Sequence, residues 1–288
     1  MVVLAMLLLT VLMAYQFSTS ARQAIHVLAD TIDAKSPYTG EHCERVPQLV
    51  EALMQGLCDA REGPFAEVSM TEAEIYECRL GACLHDCGKV TSPEHIVPWG
   101  ARRPPVEAGN PANRWSFDMV LPPQEAHLGE LHNLAVRRGT LTAEDRFKIN
   151  DHIVQAITML SDLPFPPHLS RVPSIAGSHH EKLDGTGYPR RLKGDELTLA
   201  DRVMTLADIF EALTASDRPY KPAKTLSESI GIMANMVRNQ HIGAEVFRFF
   251  LHSGVWRDYA QRFLVAAQRD TVDLDAIERL MDASPVAA

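Results

Sequence analysis

The sequence predicts an all-α fold, and three observations carry that reading. Apolar residues recur at three- and four-residue spacing through most of the chain, helix-start signals precede several of those stripes, and no run alternates apolar with polar residues for long. The chain of 288 residues is 46% apolar and 23% charged, with 16 Gly and 18 Pro, which excludes collagenous, low-complexity and wholly disordered classes. A net charge of -9 removes the basic face that gripping long nucleic acid requires. A small anion remains compatible with that charge where metals or a few local cations reverse the field.

The amino terminus reads MVVLAMLLLTVLMAYQF, and the first charge is Arg22. Seventeen helical residues span about 25 Å, a little short of a roughly 30 Å hydrocarbon core. The basic start of a secretory signal is missing. Residues 1–20 are therefore expected to be a membrane anchor or the tail of a transmembrane segment, with a buried helix as the alternative. Residues 21–288 form the folded domain.

Within it, Ile25, Leu28, Ala29 and Ile32 make a first helical stripe that Pro37 interrupts, and Val46, Leu49, Val50, Leu53 and Leu57 make a second. Thr71 with Glu74 is a capping-box signature opening a helix toward Val90, and Thr142 with Asp145 opens another through Leu160. Leu197 to Ala215 carries Leu199, Val203, Leu206, Phe210 and Leu213 at helical spacing. Stretches from about Ser227 to His252 and Asp258 to Gln268 close the pattern. Pro98 to Asn133 lacks periodicity and is rich in Pro, so we read 98–133 as an irregular insertion or lid. The five cysteines, an odd number, lie between Cys43 and Cys87 with no C-x-x-C pair. They read as reduced packing residues of a reducing compartment.

The chemistry is carried by where the histidines fall. His85-Asp86 ends an apolar helix in LHDCGK, where Gly88 permits the local bend that lets both side chains reach one metal. His179 and His180 begin HHEKLDGTGYP, whose Gly185 and Gly187 impose a turn. His42 lies in YTGEHCERV, His152 on the helix that Thr142 opens, and Asp208 in ADIFEAL. Imidazole with carboxylate suits iron, manganese or zinc. Seven such ligands exceed one tetrahedral zinc and fit two metals bridged by a carboxylate and a water. His26, His95, His127, His132, His168, His241 and His252 read as structural or surface residues.

LHDCGK resembles the HD superfamily of metal-dependent phosphohydrolases, and HHEKLDGTGYP with the downstream RPYK is similar to its HD-GYP branch. The order YTxxHxxRV, HDxGK, GxLTxED with a later His, HHExxDGxGYP, ADxxxAL and RPYK is also that of the branch. The resemblance spans roughly Gln23 to Gln268, apart from the Pro-rich stretch. It implies an HD-type helical bundle around a two-metal site. The activity it implies is metal-dependent hydrolysis of a cyclic dinucleotide, chiefly cyclic di-GMP, to pGpG, GMP or both, in bacterial second-messenger signalling.

Carried over position by position, the resemblance implies that Asp86 bridges two divalent metals. One would be held by His42, His85 and Asp208, the other by His152, His179 and His180. Lys89 would sit beside the scissile phosphate, and Arg218 and Lys221 would hold phosphates of the substrate. Tyr38 stands where three-metal members carry Glu, which favours the two-metal form. Iron or manganese is expected, with zinc, magnesium and nickel left open. Gly187, Tyr188 and Pro189 are expected to shape a loop or a surface for protein partners, and a homodimer is a further expectation.

With residues 1–20 as an anchor, the protein would sit at the bacterial inner membrane with its catalytic domain in the cytoplasm. Without the anchor it would be cytoplasmic. Two rivals remain: a non-catalytic module that binds a cyclic dinucleotide or a partner, and a hydrolase of another nucleotide such as cyclic GMP-AMP. None of the seven ligand positions is substituted, which disfavours the first. No motif reads the base, so the second stays open.

Overall fold

Helix α1 (His42–Asp59) buries Val46, Leu49, Val50, Leu53 and Leu57, the stripe its spacing predicts, and adds Met54 to the same face. The computed structural model describes residues 42–91, 106–119, 143–216 and 223–283, and among them the chain forms nine α-helices and no strand. A single isolated bridge joins Asp184 to Lys193. The apolar run 1–20, the stripe from Ala21 to Asp33, Arg218 and Lys221 lie outside the described residues. No described helix is long and apolar enough to cross a membrane.

Helix α2 (Glu72–Leu84) begins at the capping box that Thr71 and Glu74 announce: the Glu74 amide donates to Thr71 Oγ1 at 3.3 Å, and the Thr71 amide to Glu74 Oε2 at 2.8 Å. Rather than running on to Val90 as an α-helix, the chain tightens after His85 into a 3₁₀ turn over Cys87–Thr91. Helix α3 (Ala143–Ser161) and the short α4 (Val172–Ala176) follow. Helix α5 (Leu199–Thr214) starts from a second capping box, Thr198 with Asp201.

The stretch expected as one helix from Ser227 to His252 is two, α6 (Leu226–Arg238) and α7 (Ala244–Ser253). Gln240, at φ +53°, turns the chain between them in a backbone region that ends helices. Helix α8 (Val255–Phe263) is likewise shorter than its apolar pattern, which continues as a 3₁₀ turn over Ala266–Gln268. Helix α9 (Leu274–Asp282), not anticipated, is capped by Asp273 and buries only Ile277 and Met281, a stripe too brief to stand out by periodicity.

One apolar core joins α1, α2 and α5 to α9, with Phe210, Phe247 and Phe250 fully buried at its centre. A smaller one gathers Leu80, Leu84, Cys87, Leu160 and Val172 where α2, α3 and α4 meet. The third decides the geometry beside the site. Val106, Phe117 and Met119 pack onto Phe147, Ile153, Val154 and Ile157 of α3. The described part of the Pro-rich stretch is thus irregular but anchored by buried side chains, each contributing about 1.5–3 kcal/mol. No disulfide joins the five cysteines, and burial pushes the thiols of Cys78 and Cys87 up to about 12, consistent with packing residues.

Candidate metal centre

Three helices and two turns deliver the seven residues to one place. His42 stands on the first described turn of α1, His85 and Asp86 where α2 tightens, His152 in the middle of α3, His179 and His180 just past α4, and Asp208 midway along α5. Three overlapping groups form, His42–His85–Asp208, His85–Asp86–His179 and His152–His179–His180, and the candidate ligand atoms of each lie within 4.8 Å of one another.

Asp86 spans the arrangement. Its Oδ2 lies 3.4 Å from His85 Nε2 and 3.7 Å from His42 Nε2, while its Oδ1 lies 3.5 Å from His152 Nε2. Asp208 Oδ1 is 3.3 Å from His42 Nε2 and 3.7 Å from His85 Nε2. The two oxygens of one buried carboxylate therefore address two different groups of imidazoles.

The bend that lets His85 and Asp86 both face the centre does not come from left-handed backbone at Gly88. A Cβ there would lie 1.8 Å from the carbonyl oxygen of His152 and 2.7 Å from the amide of Ala156. Gly88 is needed because the turn carrying Asp86 lies directly on the backbone of α3. On the other side, Gly185 takes φ +74° as the sequence suggests, whereas a Cβ at Gly187 would lie 2.5 Å from Glu181 Cα. That closeness lets the glycine-rich loop fold back over His180.

The imidazoles are aimed through their second nitrogens. Nδ1 of His85 donates to the Ala82 carbonyl at 2.6 Å, Nδ1 of His179 to that of Ala176 at 2.8 Å, and Nδ1 of His152 to that of Ile149. Nδ1 of His42 donates to Glu211, whose other oxygen accepts from Arg45 Nε at 2.8 Å. With the proton on Nδ1, each Nε2 presents a lone pair to the centre, the tautomer that a metal ligand needs. Glu211 and Arg45, both buried, were not among the residues the sequence singled out. The signal was present in spacing: Glu211 lies three residues after Asp208 and Arg45 three after His42, hence on the same helix faces.

Protonation fits the same use. Burial drives the imidazoles of His85 and His152 down to about 4 and that of His180 well below its ordinary value. Burial opposes ionisation of Asp86, yet His85 and Lys89 hold its carboxyl well below the carboxylate range. Asp208 is held low against burial by its hydrogen bond to His42. His42 is the exception: burial works against its charge, but Asp208 and Glu211 raise it to about 10. A cation in that group would displace this proton from Nε2.

The donor set suits a metal on one further observation. Nε2 of His152 is buried and has no hydrogen-bond partner, and an unsatisfied buried acceptor costs roughly 1–3 kcal/mol. A cation between His152, His179 and His180 would satisfy it. Lys89 is ion-paired with Asp86 and half-exposed, and that neighbour keeps its ammonium charged despite burial of its stem. Tyr188 stacks on His180, and buried Glu181 accepts from the amides of Arg190 at 2.8 Å and Leu192 at 3.0 Å.

The HD domain family matches residues 26–246, and the chain belongs to it. HD domains bind divalent metals, and the groups above could hold them. The chain is 30% identical over 202 residues to a 3′3′-cGAMP-specific phosphodiesterase of Vibrio cholerae, covering 70% of this chain and 32% of that protein. It is 42% identical over 214 residues to a cyclic di-GMP phosphodiesterase of Pseudomonas aeruginosa, covering 74% of this chain and 39% of that one. Among solved structures, an HDG"Y"P protein of Bdellovibrio bacteriovorus is similar at TM-score 0.44 and 15% identity, over 80% of this chain and 62% of that chain. The chain spans well under half the length of these two curated relatives.

Proposed function

We propose that this chain is a metal-dependent phosphodiesterase that opens a cyclic dinucleotide, cyclic di-GMP first, to pGpG or GMP. The observation that carries the reading is the division of Asp86, one oxygen toward His42 and His85 and the other toward His152. A carboxylate so placed would bridge two divalent ions, one held by His42, His85 and Asp208 and the other by His152, His179 and His180. Thiolate-free imidazole and carboxylate donors favour iron or manganese. Two such ions, when bound, make water a usable nucleophile at neutral pH and draw charge from the phosphoryl oxygens.

The chain's own residues supply the rest. Asp86 is ionised and His85 and His152 are neutral, so these three need no further deprotonation, whereas His42 must release its Nε2 proton to the incoming metal. Lys89, charged and beside Asp86, would stand next to the scissile phosphate and stabilise the charge that grows there. Arg218 and Lys221 would hold substrate phosphates, the guanidinium in a bidentate manner. Relatives named for 3′3′-cGAMP and for cyclic di-GMP both match, so the mixed dinucleotide is the alternative substrate. The apolar run 1–20 supports a membrane anchor, with the catalytic domain in the cytoplasm; full recovery of the chain in a soluble fraction would end that part of the reading.

The test is anaerobic turnover of both dinucleotides by protein loaded with Fe(II) or Mn(II), with products separated chromatographically. Linear product lost on chelation, and lost in Asp86→Ala, is expected. Wild-type activity in Asp86→Ala would refute the assignment. A folded protein that takes up no metal and releases no product would favour a binding module instead.

A further inference from the structure

Four of the five clustered histidines are oriented by a hydrogen bond at Nδ1. His180 is not: among the described residues no hydrogen bond reaches either of its ring nitrogens. Its ring is instead covered by Tyr188, with centroids 4.7 Å apart and planes inclined by 27°. The Tyr188 amide also donates to the carbonyl oxygen of His180 at 3.2 Å, so ring and backbone of one residue clamp ring and backbone of the other.

Tyr188 is in turn held from behind. Its partly buried ring packs against the apolar group of Val106, Phe117, Met119 and α3. The amide of Asp118 donates to the carbonyl of Pro189 at 2.7 Å, and its carboxylate lies 3.5 Å from Arg191 Nε. Residues 106–119 thus grip the loop on both sides of Tyr188, and Glu181 ties its far end through the amides of Arg190 and Leu192.

We infer that Tyr188 is a positioning residue for His180: it fixes the imidazole plane by stacking, where the other histidines use a hydrogen bond, and residues 106–119 act as the strap that keeps it there. The inference rests on the reading of His152, His179 and His180 as a metal-holding group. A free imidazole swings about χ2, a broad torsion, and the stacked aromatic face restricts that swing. Loss of a partner that orients a metal ligand weakens metal affinity by about 10–100-fold.

Tyr188→Ala, Tyr188→Phe and the wild type are compared by calorimetric titration of the apo-protein with Mn(II), by the metal remaining after dialysis, and by the melting temperature of the apo form. Tyr188→Ala is expected to weaken one of two binding events by about 10–100-fold and leave the other within threefold. Tyr188→Phe, which keeps the ring, is expected to restore both. Equal affinities in Tyr188→Ala and wild type would overturn the positioning role, as would failure of Phe to rescue. Equal weakening of both events alongside a lower apo melting temperature would mark Tyr188 as merely structural, which also overturns it. A wild type that binds no Mn(II) would sink the metal reading itself, an outcome separable from the others because it needs no variant.

Discussion

Gly88→Ala is the sharpest test of how the centre is assembled, because a single methyl group is driven against backbone rather than side chain. The added Cβ would stand 1.8 Å from the His152 carbonyl oxygen, 2.8 Å from its carbonyl carbon and 2.7 Å from the Ala156 amide. Real Cβ contacts do not fall below 3.0 Å, so the turn carrying Asp86 and the helix carrying His152 must separate by about 1.2 Å. Metal sites hold their ligand distances to within about 0.2 Å. The required separation is several times that tolerance, and it acts directly on the Asp86 Oδ1 to His152 Nε2 approach of 3.5 Å.

Overpacking of this kind costs about 1–3 kcal/mol, or roughly 2–12 °C in melting temperature for a domain of this size. A displacement of about 1 Å in a reacting group lowers turnover by on the order of 100-fold. The assay is the metal content of purified protein by mass spectrometry, followed by thermal melting and dinucleotide turnover. Gly231→Ala serves as control: it lies inside α6 with only Ile277 Cδ1 in reach, at 4.0 Å. Alanine there should be neutral or stabilise by up to about 1 kcal/mol. A Gly88→Ala protein with two metals and an unchanged melting temperature would refute the claim that this turn is pressed onto α3.

Three more outcomes are expected. Glu211→Gln keeps the shape but removes the charge that His42 and Arg45 share, so metal affinity should fall by about 10–100-fold, read by competition with a chelator; unchanged affinity would remove Glu211 from the centre. In the metal-free protein His42 is raised from 6.5 to about 10, so the stability its proton provides is complete below about pH 6.5 and is lost as pH rises through about 10. The melting temperature of chelated protein should fall across that window, and this component should be missing in His42→Gln. Cys78 and Cys87, with thiols pushed up to about 12 by burial, should resist iodoacetamide at pH 8 while the part-exposed Cys58 is alkylated, as peptide mass spectrometry would show. Rapid native labelling of Cys78 would contradict its burial.

What the sequence made legible was whatever local chemistry determines. The stripe Val46 to Leu57 and the cap of Thr71 with Glu74 are written at fixed spacings, and the structure realises both. The break at Gln240 was not read, although Asn239 and Gly243 are the residues that cap the two helices there, because the apolar spacing resumes in α7 after it and masks the stop. The same division runs through the site. His85-Asp86 and His179-His180 stand out as adjacent donors, whereas the spacing of Glu211 puts it only on the face of Asp208, and its partner His42, 169 residues away along the chain, is fixed only by the packing of α1 and α5.

That division has a physical consequence for how the centre can be tuned. His85, His152 and His179 each take their orientation from a carbonyl three residues earlier, Ala82, Ile149 and Ala176. The backbone provides that acceptor whatever side chain stands there, so these three rings are set by their own helical turns. His42 and His180 depend on side chains elsewhere, Glu211 and Tyr188. Each of the two terminal ligand groups contains one histidine of this second kind, His42 with His85 and Asp208, and His180 with His152 and His179. Substitution can therefore adjust either group alone without touching a ligand. Loss of Glu211 should act on the His42 group and loss of Tyr188 on the His180 group. Because the two dependent histidines lie in different groups, their effects on binding should be separable and near additive, as for sites that share no partner. A strongly non-additive Glu211→Gln/Tyr188→Ala double variant would instead mean that Asp86, whose two oxygens lie between the two groups, transmits the disturbance from one to the other.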